Sequence, residues 1–495
     1  MDVVTSVKPL YAILISLVTV ALVLVRPKRP ALREIYTVVS ALVTFAIVLS
    51  MLPWILQGGI LKYHLITVLP GLDIALRVDA LGMVFALTAS FLWLVTSFYT
   101  IGYMRSHYPE NYAGRSVDRF FAFFLIAMAS AIGTAFAGNL FTLYIFYEIL
   151  TLCTYPLVAY DKTPEALYGA QKYLVHLLGT SLLFFLPAMF LTYYYTGTLD
   201  FSTSGILAGN APDSVLVITF ILFIAGIAKA ALMPFHAWLP AAMVAPTPVS
   251  ALLHAVAVVK AGVFTIIRVV LFIFGVDLLK DLNLGYYLAY FAAFTIIVAS
   301  LIALRQDNLK RRLAYSTISQ LSYTILGVAL LTSSGIIGSV LHLVIHAFGK
   351  ITLFFAAGAI YVVTGKTEIS QMNGIGKKMP FTMAAFTIGA LSMISIPPVA
   401  GFLSKWYLTM GAVEADQLAL VAVLAISSLL NAAYFLPIVY RAFLKPAVGN
   451  GERIKIKEAP VFMVGALMIT AIAVLCLFFT PSVFLDLARM IVAAM

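Results

Sequence analysis

Along most of the chain, apolar residues run for about twenty positions and then give way to short clusters of charged and turn-forming residues. A helix needs about 20 apolar residues to cross the hydrocarbon core of a bilayer. Read on that scale, the pattern predicts fourteen helices, over roughly 9–25, 35–56, 80–104, 119–137, 140–160, 167–195, 214–233, 249–273, 285–304, 313–331, 336–363, 380–410, 416–444 and 459–480. The first segment is followed by Arg26, Lys28 and Arg29 and lacks a small-residue cleavage site, so it is expected to stay as a helix and not to be removed as a signal peptide. The longest loop, 57–79, is too short for a soluble domain. The expected fold is an all-α polytopic membrane protein whose work is done within the bilayer.

Composition narrows the field. The 495 residues are 63% apolar and only 10% charged, against roughly 45–50% and about 25% in an average soluble domain. A soluble enzyme, a disordered chain and a secreted disulfide scaffold are excluded. The two cysteines, Cys153 and Cys476, lie in separate apolar stretches and cannot build a thiolate metal or iron–sulfur site. No cofactor and no redox or hydrolytic active site is therefore expected in this chain, and nearby redox chemistry would belong to other chains.

Lysines and arginines report on orientation, because they accumulate in cytoplasmic loops. Loops after odd-numbered helices hold twenty of them. Loops after even-numbered helices, with both termini, hold five: Lys8, Lys62, Arg77, Lys280 and Arg489. Both termini are thus expected on the outer side. The net charge of +11 is mostly topogenic and needs no nucleic acid to explain it.

Residues 171–185 (QKYLVHLLGTSLLFF) align without gaps on 341–355 (LHLVIHAFGKITLFF), with His176 on His346 and Gly179 on Gly349. Arg268 and Arg441 echo each other at a similar offset. The sixth helix thus falls on the eleventh. Five is an odd number of crossings, so the two copies must run through the membrane in opposite senses, the inverted-repeat plan of many transporters. Chance similarity between apolar helices is the competing explanation, and the paired His and Gly weigh against it.

Six basic residues lie inside predicted helices: Lys172, Lys229, Lys260, Arg268, Lys350 and Lys405. Glu148 is the acidic residue in the middle of one. Lys172 and Arg268 stand near helix ends, from which long side chains can snorkel to the interface. The other five charges each cost about 2.5–3.5 kcal/mol on insertion scales, on the order of 12–18 kcal/mol together. One carboxylate can neutralise only one of four lysines, so ion pairing alone does not explain them. Desolvation makes an ammonium surrender its proton more readily, and a nearby carboxylate opposes that. Moving Glu148 towards or away from Lys229 would then load or release a proton. His342, His346 and Lys350 follow at i, i+4 and i+8, one stripe on a helix face, and histidine is the natural relay between such groups. His254 and Lys260 share the eighth helix.

Helix breakers fall beside these charges: Pro234 follows Lys229 in AKAALMPFHAWLP, and Pro397-Pro398 precede Lys405 in SIPPVAGFLSKW. Broken helices at membrane depth are tolerated only where protein or water satisfies the freed backbone groups, and they often mark a site. Pro156 and Pro187 also fall within helices, so proline alone is a weak signal.

On these residues the sequence resembles the antiporter-like subunits shared by respiratory complex I, the Mrp cation/proton antiporters (MrpD in particular) and the energy-converting membrane-bound hydrogenases. The likeness spans nearly the whole chain and rests on LYIFYEILTLCTYPLVAY around Glu148, KAALMPFHAWLPAAMVAPTPVSALLHA after Lys229 and HLVIHAFGKITLFFAAG. It implies helices four to eight and nine to thirteen as inverted half-channels, hence units at 1–118, 119–284, 285–445 and 446–495. It also implies a fifth-helix Glu148 paired with a seventh-helix Lys229, a central Lys260 with His254, a relay through His342, His346 and Lys350, and an outer exit at Lys405. The chain ends soon after its fourteenth helix, which resembles MrpD more than the subunits with long extensions.

The expected function is proton translocation along this path, within a multisubunit membrane complex of a prokaryotic cell membrane. Lys172, His176 and His236 are candidate entry residues. Expected partners are other membrane subunits of an Mrp-like or hydrogenase-like complex, with protons, and sodium as a candidate, as the moving ions. A hydrogenase-like or sulfur-reducing complex is favoured over a stand-alone sodium/proton antiporter. A free-standing solute transporter and an inert structural anchor are the competing classes. Gly374-Ile375-Gly376 is an isolated pair and marks no phosphate loop.

Overall fold

The computed structural model describes residues 2–25, 29–110, 112–446 and 455–495; Arg26, Lys28 and Arg453, counted above for orientation, lie outside the described residues. The helices are α1 (Lys8–Val25), α2 (Pro30–Leu56), α3 (Ala80–His107), α4 (Arg115–Ala135), α5 (Leu140–Val158) and α6 (Pro164–Thr196). They continue with α7 (Asp213–Gly226), α8 (Thr247–Phe274), α9 (Leu284–Arg305), α10 (Leu309–Ala329) and α11 (Ser333–Thr364). α12 comes in two pieces, Pro380–Ile394 and Gly401–Glu414, and is followed by α13 (Leu418–Phe443), α14 (Val461–Phe479) and α15 (Ser482–Ala493). Eleven of the described helices are long and apolar enough to cross a membrane.

The other three expected crossings miss that standard for different reasons. α7 and α12 are broken, and α10 begins Leu-Lys-Arg-Arg and carries Ser316, Ser319, Gln320, Ser322 and Thr324 along its length. That polarity is affordable because those five side chains are all buried in protein. α8 and α11 are enclosed all round, whereas most of α1, α6, α13 and α14 faces outward. α11 is the central post: it packs against α3, α10, both pieces of α12, α14 and α15.

Three elements depart from the sequence reading. The loop 57–79 is a β-hairpin, β2 (Ile60–Leu69) and β3 (Leu72–Val78), with β1 (Val3–Thr5) added in parallel on β2. The short amphipathic α15 follows α14 and lays Leu487, Ala488 and Ile491 inward. Gly58 and Gly59 beside the hairpin line one small cavity with Met490 and Ile491, so the described N-terminal strand and α15 come close together. The third correction concerns Arg268, which does not snorkel. It is fully buried and grips Asp79 through two bonds of 2.7 Å, tying α8 to Asp79, the residue that caps α3.

Both broken helices turn on a non-glycine residue in the left-handed region, Ala231 (φ 55°) and Ser395 (φ 74°), each three positions before a proline, Pro234 and Pro398. This shared local geometry is the structural counterpart of the repeat. The break in α7 comes earlier than the proline suggests: helix ends at Gly226, and Lys229 lies on a single tight turn, Ala228–Ala230. Freed backbone groups are met by protein, as lipid depth requires. Trp238 Nε1 donates to Ala228 O at 2.9 Å, and Asn431 Nδ2 and Gln320 Nε2 donate to Met393 O at 3.0 and 3.3 Å.

Candidate functional site

Lys229 is entirely buried. Its tight turn sits directly on Gly262 of α8, where any Cβ would collide with Ala230 N and the Lys229 carbonyl carbon. Lys229 Nζ donates to Tyr147 O at 2.5 Å and lies over the Tyr147 ring, while the backbone N–H of Lys229 meets Tyr147 Oη at 3.4 Å. Glu148, the next residue on α5, makes no ion pair with Lys229; both of its carboxylate oxygens are buried and find no hydrogen-bond partner among the described residues. The implied Glu148–Lys229 pairing is therefore not formed here. Helical geometry is the reason: neighbours at i and i+1 point about 100° apart, and the lysine is held on the Tyr147 side.

From α8, Lys260 reaches across to α11, its Nζ 2.7 Å from His346 Nδ1. His346 stands 5.8 Å, ring to ring, from His342, and His342 Nδ1 is 2.9 Å from Ser404 Oγ in the second piece of α12. Lys405 follows Ser404 in sequence. Its Nζ donates to Ser428 Oγ of α13 at 2.8 Å and lies over the Tyr323 ring; Tyr323 in turn is 5.4 Å, ring to ring, from His342. Lys350 turns another way, donating to Ser316 Oγ at 2.7 Å and to Leu313 O at 3.2 Å on α10. Ser316 also accepts from Tyr434 Oη at 3.0 Å. Lys260, His346 and His342 thus stand in one line, hydrogen-bonded from Lys260 to His346 and from His342 to Ser404, with Lys405 beside it across the Tyr323 ring and Lys350 turned to one side.

Four expected members stand apart. His254 is fully buried in a widened π-type turn, Leu252–Val256, such as often marks functional sites. Its ring packs on Phe354 at 4.7 Å, and neither nitrogen has a hydrogen-bond partner among the described residues. Lys172 and His176 are half-buried on the outward-facing α6, where His176 Nδ1 meets its own helix at Lys172 O. With half-buried His236 they lie near enough to interact electrostatically, yet none of the three bonds to Lys229.

Several participants were missed from the sequence. The hydroxyl and amide side chains Ser316, Tyr323, Ser404, Ser427, Ser428, Asn431 and Tyr434 line the second half of the file, with Tyr323 Oη donating to Ser427 Oγ at 2.5 Å and Tyr434 Oη to Asn431 Oδ1. The available signal was the run LAYSTISQLSYT in α10, too polar for a lipid-facing helix. Lys310, counted as a loop charge, donates to Ala245 O at 2.6 Å and lines a polar cavity of about 200 Å³ with His107, Asp161 and Lys366.

A bundle with two broken helices, a lysine at each break and a protonatable file between them defines a multi-pass ion-handling membrane protein. Residues 137–431 match the transmembrane family described as NADH:quinone oxidoreductase/Mrp antiporter, and the chain belongs to that family, the antiporter-like subunits of complex I, Mrp and related membrane complexes. It is 35% identical over 437 residues to NADH-quinone oxidoreductase subunit N of Desulforudis audaxviator, covering 88% of this chain and 85% of that one. It is 30% identical over 480 residues to one subunit of the Na(+)/H(+) antiporter of Alkalihalophilus pseudofirmus, covering 90% of this chain but only 58% of that longer protein. The chain likewise spans about half, 48%, of the chloroplast NAD(P)H-quinone oxidoreductase subunit 5 of Zygnema circumcarinatum. Among solved structures, a chain of the membrane-bound sulfane sulfur reductase, an archaeal respiratory complex, superposes with a TM-score of 0.87 at 27% identity, covering 99% of this chain and 98% of that one. A chain of the Mrp complex of Dietzia sp. shares the fold, with a TM-score of 0.85 at 22% identity over 98% and 96%.

Proposed function

We propose that this chain carries protons across a prokaryotic cell membrane as one subunit of a larger complex, driven through its neighbours and not by chemistry of its own. The observation that supports this reading most is the buried file from Lys260 through His346 and His342 to Ser404 and Lys405, whose neighbouring groups lie within hydrogen-bond or ring-contact reach. Such a file of titratable groups suits a proton, which is passed from group to group, better than an organic solute. Glu148 and Lys229 serve as the loading pair, with Glu148 swinging towards the lysine. Lys172, His176 and His236 serve as the entry, His254 and Lys260 as the central station, Lys350 as a branch, and Lys405 as the exit. No cofactor is assigned to the chain.

The driving reaction assigned is redox, of the sulfur-reducing or hydrogenase-like kind. End-to-end superposition on a chain of the sulfane sulfur reductase complex supports that choice. Both termini are assigned to the outer side, from the twenty-to-five bias of basic residues. Sodium exchange in a stand-alone antiporter is the second reading, supported by the likeness to the Alkalihalophilus pseudofirmus Na(+)/H(+) antiporter.

The test is Lys229→Ala in the intact complex, assayed by dye-reported proton uptake in inverted membrane vesicles. Assembly should persist while proton uptake falls to background. Uptake at the wild-type rate would overturn the assignment.

A further inference from the structure

The lysine at each helix break rests on the face of a buried tyrosine. Lys229 Nζ lies 3.1 Å from the centroid of the Tyr147 ring, and Lys405 Nζ lies 4.7 Å from that of Tyr323. Both rings are fully buried. The tyrosines sit on α5 and α10, Lys229 on the α7 break and Lys405 in the piece of α12 just after its break, so each pair recurs five helices later, as the inverted repeat demands. In both halves the lysine follows its tyrosine by 82 positions. The residue after Tyr147 is Glu148, whereas the residue after Tyr323 is Thr324. The second half has kept the ring and has no carboxylate beside it.

A cation over an aromatic face is attracted by the ring's quadrupole, most strongly where water is absent. The neutral amine feels no comparable attraction. Around Lys405 the described contacts are the Tyr323 ring and the Ser428 hydroxyl, with no acidic group in reach. Lys260 differs, since it meets a nitrogen base in His346. Resting on the proton-carrying reading above, we propose that Tyr147 and Tyr323 are positioning residues whose ring faces hold the charged form of Lys229 and Lys405, in the second half without a neighbouring carboxylate.

Aromatic residues make up 13% of the chain, so a ring beside a lysine can be mere packing. The experiment must therefore change the ring's charge distribution and leave its shape alone. Tyr323 is replaced, in the full chain within its assembled complex, by phenylalanine carrying none, one, two or three ring fluorines. Proton uptake is then measured in inverted vesicles, with phenylalanine as the reference. Fluorine drains the negative ring face while hardly altering its size. Uptake should fall stepwise with each fluorine, by about tenfold or more across the series, at constant amounts of assembled complex. A series flat to within about twofold, alongside an inactive Lys405→Ala, would overturn the role of the ring and leave the proton path standing. Lys405→Ala transporting at the wild-type rate would overturn the path, and this inference with it.

Discussion

Lys260 Nζ stands 2.7 Å from His346 Nδ1, both side chains buried, and this contact is the direct side-chain link between α8 and α11 in the file. It joins an amine to an imidazole nitrogen, so either group can donate to the other and a proton can pass between them. His346→Ala should lower proton uptake by at least an order of magnitude and cost about 1–3 kcal/mol, because a buried polar group loses its partner. The double change Lys260→Met with His346→Leu should regain that stability and remain inactive. Thermal unfolding of the purified complex, read beside vesicle uptake, separates the two effects.

Gly262 lies where the Lys229 turn touches α8. Gly262→Ala should push that turn away, cost about 1–3 kcal/mol through overpacking and abolish uptake, although no protonatable group is changed. A variant with normal uptake would show that the position of Lys229 is not critical.

Ser316 accepts from both Lys350 and Tyr434. Ser316→Ala leaves Lys350 only the longer bond to Leu313 O. If the branch carries protons, uptake should drop several-fold, with a stability loss of about 1 kcal/mol. Unchanged uptake would make Lys350 a structural group satisfied by α10.

Asp79 caps α3 just before its first turn and carries the buried Arg268. Burial pushes its carboxyl up, but the Arg268 guanidinium, with help from Arg77 and the Gly82 N–H, outweighs that and holds it down at about 2. The unfolded value is about 3.9. A lowered native value means stability that is fully present above about pH 4 and is lost as pH falls through about 2, on the order of 2 kcal/mol in all. Arg268→Ala should be far worse, about 3–5 kcal/mol, since it leaves a buried carboxylate alone. Unfolding temperature against pH for wild type and Asp79→Asn tests this: the acid-side slope should flatten in the variant.

Much of the site was legible because a helix has a fixed period. The spacing of His342, His346 and Lys350 put them on one stripe of α11, and the cost of burying Glu148, Lys229, Lys260, Lys350 and Lys405 marked them as more than packing. Their partners were not legible. Successive members of the stripe climb about 6 Å along the helix and so meet different neighbours: His346 faces α8, His342 faces α12 and Lys350 faces α10. Arg268 shows the same limit, since its distance from a helix end suggested snorkelling and Asp79, 189 positions away, claimed it instead.

By itself the sequence determined what the bilayer enforces: the long apolar helices, eleven of which meet the length and hydropathy of a crossing among the described residues, the bias of basic loops, the two interrupted helices and the family to which they belong. Hydrocarbon rewards long apolar runs and penalises charge wherever the chain folds, so those features can be read one segment at a time. The tertiary structure alone decided that Lys229 lies on Tyr147 and not on Glu148, that Lys405 lies on Tyr323, that a polar α10 is tolerable and that Lys310 reaches Ala245 O. Those outcomes depend on which buried groups stand within about 3–5 Å of one another across helices, and a hydrogen bond or ring contact at that range is set by packing, not by position along the chain.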